Sequence, residues 1–214
     1  VRLVDFIPDG QPAYARPGTV ERTATPFVSP EASELVVAPG ENRAFSIQVE
    51  VPRSFSDART LWSALLFEPL DDLQDEPPAS EGLTIRTTTR YAYSVIVHVN
   101  DPPMPRIDIG DIERVIPRGP QANDFKIDVQ FGLEGERVIR ASVQAQVFAR
   151  DSGEQVLVTP SRSLRLYPGY VRSGRFDLSG IDPGRYEVVL MAESPDEDLH
   201  AVRFDLDVGV DLSN

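Results

Sequence analysis

Hydrophobic and polar residues alternate with period 2 through most of the chain, and nowhere does a long stretch keep the 3.6-residue period of a helix. The alternation is clearest where Phe45, Ile47, Val49 and Val51 interleave with Ser46, Gln48 and Glu50. This is the pattern of a half-buried strand, entered through the turn Ala38-Pro39-Gly40. Val36 and Val37, on the near side of that turn, predict a strand leading into it. After the polar loop Ser56-Asp57-Ala58-Arg59 comes Leu61-Trp62-Ser63-Ala64-Leu65-Leu66-Phe67, apolar enough to be covered on both faces. The chain from Leu35 to Pro69 is therefore expected to build sheet over sheet, and the first half is organised around it.

The remaining pattern extends the same architecture. Val1–Ile7 predicts a short apolar strand closed by Pro8-Asp9-Gly10, and residues 11–25 a polar loop. Thr25–Pro30 predicts a brief edge strand, since its prolines would be costly in a central one. Thr84–Val99 is the longest strand expected. Tyr91, Tyr93, Val95, Val97 and Val99 share one strongly apolar face, and Ala92, Ser94, Ile96 and His98 share a mixed one. A strand of this kind packs on a core and still presents an edge. Asn100–Pro105 carries three prolines and predicts a stiff connector hinged at Asp101 to Met104.

Beyond the connector, strands are expected over Arg106–Val115, Asp124–Phe131, Arg137–Ala149, Gln155–Val158, Leu164–Tyr170, Gly174–Leu178, Tyr186–Ala192 and Ala201–Val208, separated by turn signals. Short strands at this spacing predict an immunoglobulin-like sandwich. The expected fold is all-β, two immunoglobulin-like β-sandwich domains in tandem, spanning residues 1–103 and 104–214.

Composition narrows the chemistry. A net charge of −13 argues against a nucleic-acid partner, which needs a concentrated basic surface. Lys126 is the sole lysine, so arginine supplies nearly all positive charge. The absence of cysteine removes disulfides, thiol catalysis and cysteine-bound metals. No apolar run is long enough to span a membrane. The start at Val1, without a methionine, favours a mature exported product.

Catalytic signals are weak. His98 and His200 belong to no HxxxH or HExxH pair, and neither is expected to have a partner. No GxSxG elbow or glycine-rich phosphate loop occurs. Carboxylates are abundant, but a glycosidase pair needs a cleft that small sandwiches with short loops seldom supply. The acidic segment Leu70–Ser80 could ligate calcium, yet it lacks the spaced Asp/Asn-Gly pattern of a known calcium loop and reads more simply as a solvated hairpin loop. Tyr14, Tyr167 and Tyr170 could stack on sugars, although solitary loop tyrosines are more often packing caps. An enzyme, a metal site and a cofactor are thus not expected. Binding remains, through an unpaired edge that another chain can extend.

The first half carries a further signal: VDFIPDG, then TPFVSPEASELVVAPGENRAFSIQVEVP, DARTLWSALLFEP and the strand RYAYSVIVHV. In these segments it resembles the amino-terminal domain of the periplasmic pilus and fimbrial assembly chaperones. That family has a proline-bearing segment before a "PG" turn, an alternating strand ending in "VP", a "YWS"-like strand and a long alternating last strand. The resemblance covers roughly half the chain by motif, and the second half by architecture. It implies a chaperone that binds pilus or surface-fibre subunits by donating its last strand, without catalysis, in the periplasm or at the cell surface. It also implies that the chain begins after the family's first two strands. Arg90 falls near the family's cleft lysine and is implied to clamp a partner carboxylate; Tyr91, Tyr93, Val95, Val97 and Val99, or the opposite register Ala92 and Ile96, are implied to fill the subunit's groove. The alternative expectation is a structural or adhesive component of a surface filament built by strand complementation.

Overall fold

In the computed structural model, residues 1–9, 13–70, 89–115, 125–196 and 198–209 are described. Their regular secondary structure is almost wholly antiparallel strand, so the chain is all-β. It forms two compact units: one holds Val1–Ile7 and Pro12–Asn100, the other Pro8–Gln11 and Asp101–Asn214. Asn100 and Asp101 both have positive φ (54° and 45°), a conformation that asparagine and aspartate tolerate better than most residues. Each is tied to its own unit. The Asn100 amide donates to the Phe55 carbonyl (2.9 Å), and the Asp101 carboxylate accepts from Arg137 (2.9 Å).

The first unit contains a four-stranded sheet in the order β2 (Ala13–Ala15), β1 (Arg2–Ile7), β5 (Arg59–Phe67), β6 (Tyr91–Val99). A two-stranded ribbon, β3 (Val28–Pro30) with β4 (Ile47–Val49), completes it. The central strand β5 is buried on both faces, as its unbroken apolar run predicts. Leu61 and Leu65 pack with Ala24, Val28, Val95 and Val99. On its other face Trp62 is fully buried, and its indole N–H donates to the Phe6 carbonyl (3.0 Å), satisfying a group that would be costly to leave unpaired.

Several expectations need correction in this unit. Leu35–Val37 is not a strand, and Val36 lies exposed; no partner strand flanks it among the described residues. The Pro39-Gly40 turn does form, with Gly40 at φ 80° and the Glu41 N–H donating to the Ala38 carbonyl (3.0 Å). Residues 11–25 are not all loop, since β2 pairs with β1 there. Thr25–Phe27 forms a 3-10 turn, leaving only Val28–Pro30 extended. The strand expected over Thr84–Val99 is observed as Tyr91–Val99, residues 84–88 lying outside the described part. The longest described strand is instead in the second unit.

The second unit packs two sheets. One has the order β10 (Gln155–Val158), β9 (Ile139–Ala149), β13 (Gly184–Glu193), β14 (Leu199–Val208), with β11 (Arg162–Leu166) also on β9. The other runs β12 (Arg172–Asp177), β8 (Lys126–Glu134), β7 (Arg106–Val115). Alternate residues converge on one core: Ile127, Val129 and Phe131 from β8, Val143, Ala145 and Val147 from β9, Val188 and Leu190 from β13. Gly174 on β12 is demanded by this packing. A Cβ there would lie 2.9 Å from the Phe131 ring and 3.3 Å from Leu164.

Candidate strand-binding trough

The ribbon β3–β4 is too narrow to cover the sheet beside it, and the shortfall leaves an apolar trough. Its volume is about 680 Å³. Phe45, Ile47 and Val49 form one wall, Tyr91, Tyr93, Val95 and Val97 the other, with Leu65 and Phe67 between them. Among the described residues β4 pairs only with β3 and β6 only with β5, so both strands bordering the trough keep a free edge. The walls run in the same sense. At one end Phe45 stacks edge-on against Phe67 (5.2 Å) and Phe67 against Tyr93 (5.5 Å), while at the other Phe55 is joined to Asn100.

Period-2 geometry explains which β6 side chains enter the trough. In the antiparallel register Phe67 faces Tyr91, Leu65 faces Tyr93, Ser63 faces Val95 and Leu61 faces Val97, so the odd-numbered residues point to the core side. Only the part near Val95 and Val99 is covered; these two are 8% and 6% exposed and belong to the unit's own core. Tyr91 and Tyr93 are each 59% exposed, and Val97 is half-buried. The implied set of five offered side chains is therefore narrowed. Val95 and Val99 could not enter a partner without opening their own core, whereas Tyr91, Tyr93 and Val97 face usable space. In the opposite register Ala92 is exposed and Ile96 half-buried; Ile96 also lines the trough.

Arg90 stands just before β6, at the end away from Asn100; a nine-residue strand of about 30 Å separates the two. Its Nε lies 3.2 Å from a Glu68 oxygen, and Arg2 approaches the same carboxylate at 3.2 Å. The guanidinium is thus engaged with an internal carboxylate, beside the Tyr91 end of the trough.

What holds the ribbon in place could not be read from spacing. Asp5 on β1 is fully buried and accepts four hydrogen bonds: from the Thr19 and Val20 amides (2.7 and 2.8 Å), from the Thr25 hydroxyl (2.7 Å) and from the Thr23 hydroxyl. Burial pushes the carboxyl pKa up, but these four donors outweigh it and hold it below the ordinary aspartate value. The segment so gathered runs on to Ala24, whose N–H donates to the Trp62 carbonyl (3.0 Å), and then through the 3-10 turn into β3. Asp5 therefore anchors the chain that carries the far wall. A lone aspartate within an apolar strand, followed by a loop that carries Thr19, Thr23 and Thr25, was the one available signal.

Other candidate residues fall outside this site. His98 does have a partner, its Nδ1 lying 2.8 Å from the Thr60 hydroxyl across β5, which corrects the expectation of an unpartnered ring. Tyr167 is buried, as a packing cap would be, and Tyr14 is exposed beside Phe6. The acidic segment weighed for calcium lies, beyond Leu70, outside the described residues. Among the described residues no cluster of three or more His, Cys, Asp or Glu could hold a metal ion, and no helix is long and apolar enough to cross a membrane. No protein-family model matches the chain, and no curated protein matches it either.

Proposed function

We propose that the protein is a non-catalytic binding protein that holds a partner polypeptide by strand addition along β6. In this it would act as the pilus-assembly chaperones do, on a subunit of a pilus or surface fibre, in the periplasm or at the cell surface. The observation that carries the reading is that, among the described residues, β6 pairs on one side only, contains no Asp, Glu, Lys or Arg, and borders an apolar trough. An added strand would gain main-chain hydrogen bonds from that edge and place alternate side chains between the walls, so affinity and selectivity would come from different parts of the same segment.

The probe is a labelled synthetic peptide as long as β6, alternating aliphatic with hydroxyl residues, titrated by fluorescence anisotropy with amide chemical shifts followed in parallel. Saturable binding with shifts concentrated at Tyr91–Val97 is expected. Tyr93→Glu should weaken binding at least about tenfold while thermal unfolding stays cooperative. Absence of binding, or binding that ignores Tyr93→Glu, rejects the proposal.

A second reading, a filament component completed by a neighbour's strand, draws on the same trough, because a space bordered by two strands that, among the described residues, each pair on one side only can receive a strand as readily as β6 can be offered. Sedimentation at rising concentration distinguishes them. A ladder of oligomers favours the filament component, and a monomer that forms a discrete one-to-one complex favours the chaperone.

A further inference from the structure

Phe67 stands between the two walls of the trough and touches both. Its ring meets Phe45 on the ribbon side edge-on (centroids 5.2 Å apart, planes at 80°). It meets Tyr93 on β6 in the same way (5.5 Å, 85°). Rings at these separations are in contact, so neither pair leaves room for a further side chain between its members. The three rings form an aromatic crossbar from wall to wall. Phe45 takes part from outside any strand, since β4 begins only at Ile47. Toward Val97 the lining changes: Ile47, Val49, Val95 and Val97 are aliphatic, and Ile47 and Val49 keep 37% and 42% of their surface exposed. Directly opposed residues of neighbouring strands share a face. A strand added along β6 therefore sets the side chain opposite Tyr93 onto the crossbar and the one opposite Val97 among aliphatic groups.

We infer that Phe45 and Phe67 determine specificity in the trough, which takes a partner polypeptide segment with a small residue, of alanine or serine size, at the crossbar and a bulky aliphatic one beside Val97. The inference rests on the strand-addition reading and deepens it. Main-chain bonds to β6 and the aliphatic walls supply affinity for any extended apolar segment. The crossbar supplies rejection, because a bulky side chain there overfills a space the rings already occupy.

A set of end-blocked peptides as long as β6 tests this. Each carries leucine at every inward position but one, and the remaining alanine is moved along the set. The peptide whose alanine reaches the crossbar should bind about tenfold more tightly than the others, its methyl showing nuclear Overhauser contacts to the Tyr93 ring. Phe45→Ala should cut that advantage to within about twofold while thermal unfolding stays cooperative, because Phe45 belongs to no strand. Phe67→Leu, which keeps an apolar side chain at the end of β5, should reduce it as well. Equal affinities across the set, a best alanine that lies away from Tyr93, or an advantage that survives both substitutions overturns the inference and leaves strand addition standing. If no peptide binds, strand addition fails and the inference with it. Self-association of the unliganded protein through the trough would make a second copy the occupant and overturn the inference too.

Discussion

β6 and β7 are neighbours in the chain and of similar length, and among the described residues each lies at the edge of its sheet, yet their outer edges differ in kind. β7 carries exposed Asp108, Asp111 and Glu113, and its pairing with β8 slips between Ile109 and Ile112, so Gly110 and Asp111 bulge out of register. Charges and bulges are how β-proteins keep other chains from adding to an edge. β6 has neither. Its nine residues contain no Asp, Glu, Lys, Arg or Pro, and they pair with β5 without a break. The other long edge, β14, is again charged, with Arg203, Asp205 and Asp207. The difference teaches that the second unit's two long edges are defended against strand addition, whereas among the described residues β6 keeps an undefended edge beside the trough.

The sharpest way to break this contrast is to give β6 what β7 tolerates. A carboxylate at Asp108 is exposed and harmless, but Val95→Asp would place one in a core position and should cost about 4 kcal/mol or more, abolishing cooperative unfolding of the first unit. Retained stability would mean that β6 is not packed as described. Next in size is Asp5→Ala, which orphans the donors that gather residues 19–25 and should destabilise the first unit by roughly 2–4 kcal/mol in chemical denaturation. Because the folded pKa of Asp5 is depressed, its contribution is complete above the unfolded aspartate value and fades as pH falls through the lower folded one. Acid unfolding of the wild type should therefore show an Asp5-dependent loss confined to pH below about 4. A variant with the same acid profile would remove Asp5 from that role.

Gly174→Ala probes the other half of the comparison. The new methyl would press on Phe131 and Leu164, so the second unit should lose about 1–3 kcal/mol while peptide binding at β6 stays unchanged. A change in binding would show that the two units are not independent in function. The smallest effect is expected from Asp108→Asn with Glu113→Gln on β7. Removing these charges leaves the bulge, and no strand-addition peptide should bind there in the same chemical-shift titration.

The architecture was largely legible in the chain. Alternation at Phe125–Phe131 and Val202–Val208, and the unbroken run at Leu61–Phe67, marked inner faces that the structure bears out. Legibility failed where alternation lacked neighbours to act on. Val36 and Val37 have strand-forming side chains but no adjacent edge among the described residues, and Phe45–Val51 alternates as a buried strand does while only Ile47–Val49 pairs. A period records which side chains can share a face; it does not record whether anything covers that face.

The sequence by itself determined that the chain is all-β and that Tyr91, Tyr93, Val95, Val97 and Val99 point the same way, because strand geometry turns each residue over relative to the last. Tertiary structure alone decided that Val95 and Val99 serve the protein's own core while Tyr91 and Tyr93 are exposed on a strand that, among the described residues, pairs on one side only. That division depends on where a two-stranded ribbon ends, and its placement follows from a buried aspartate and backbone bonds between residues far apart in the chain. Contacts of that range leave no period to read.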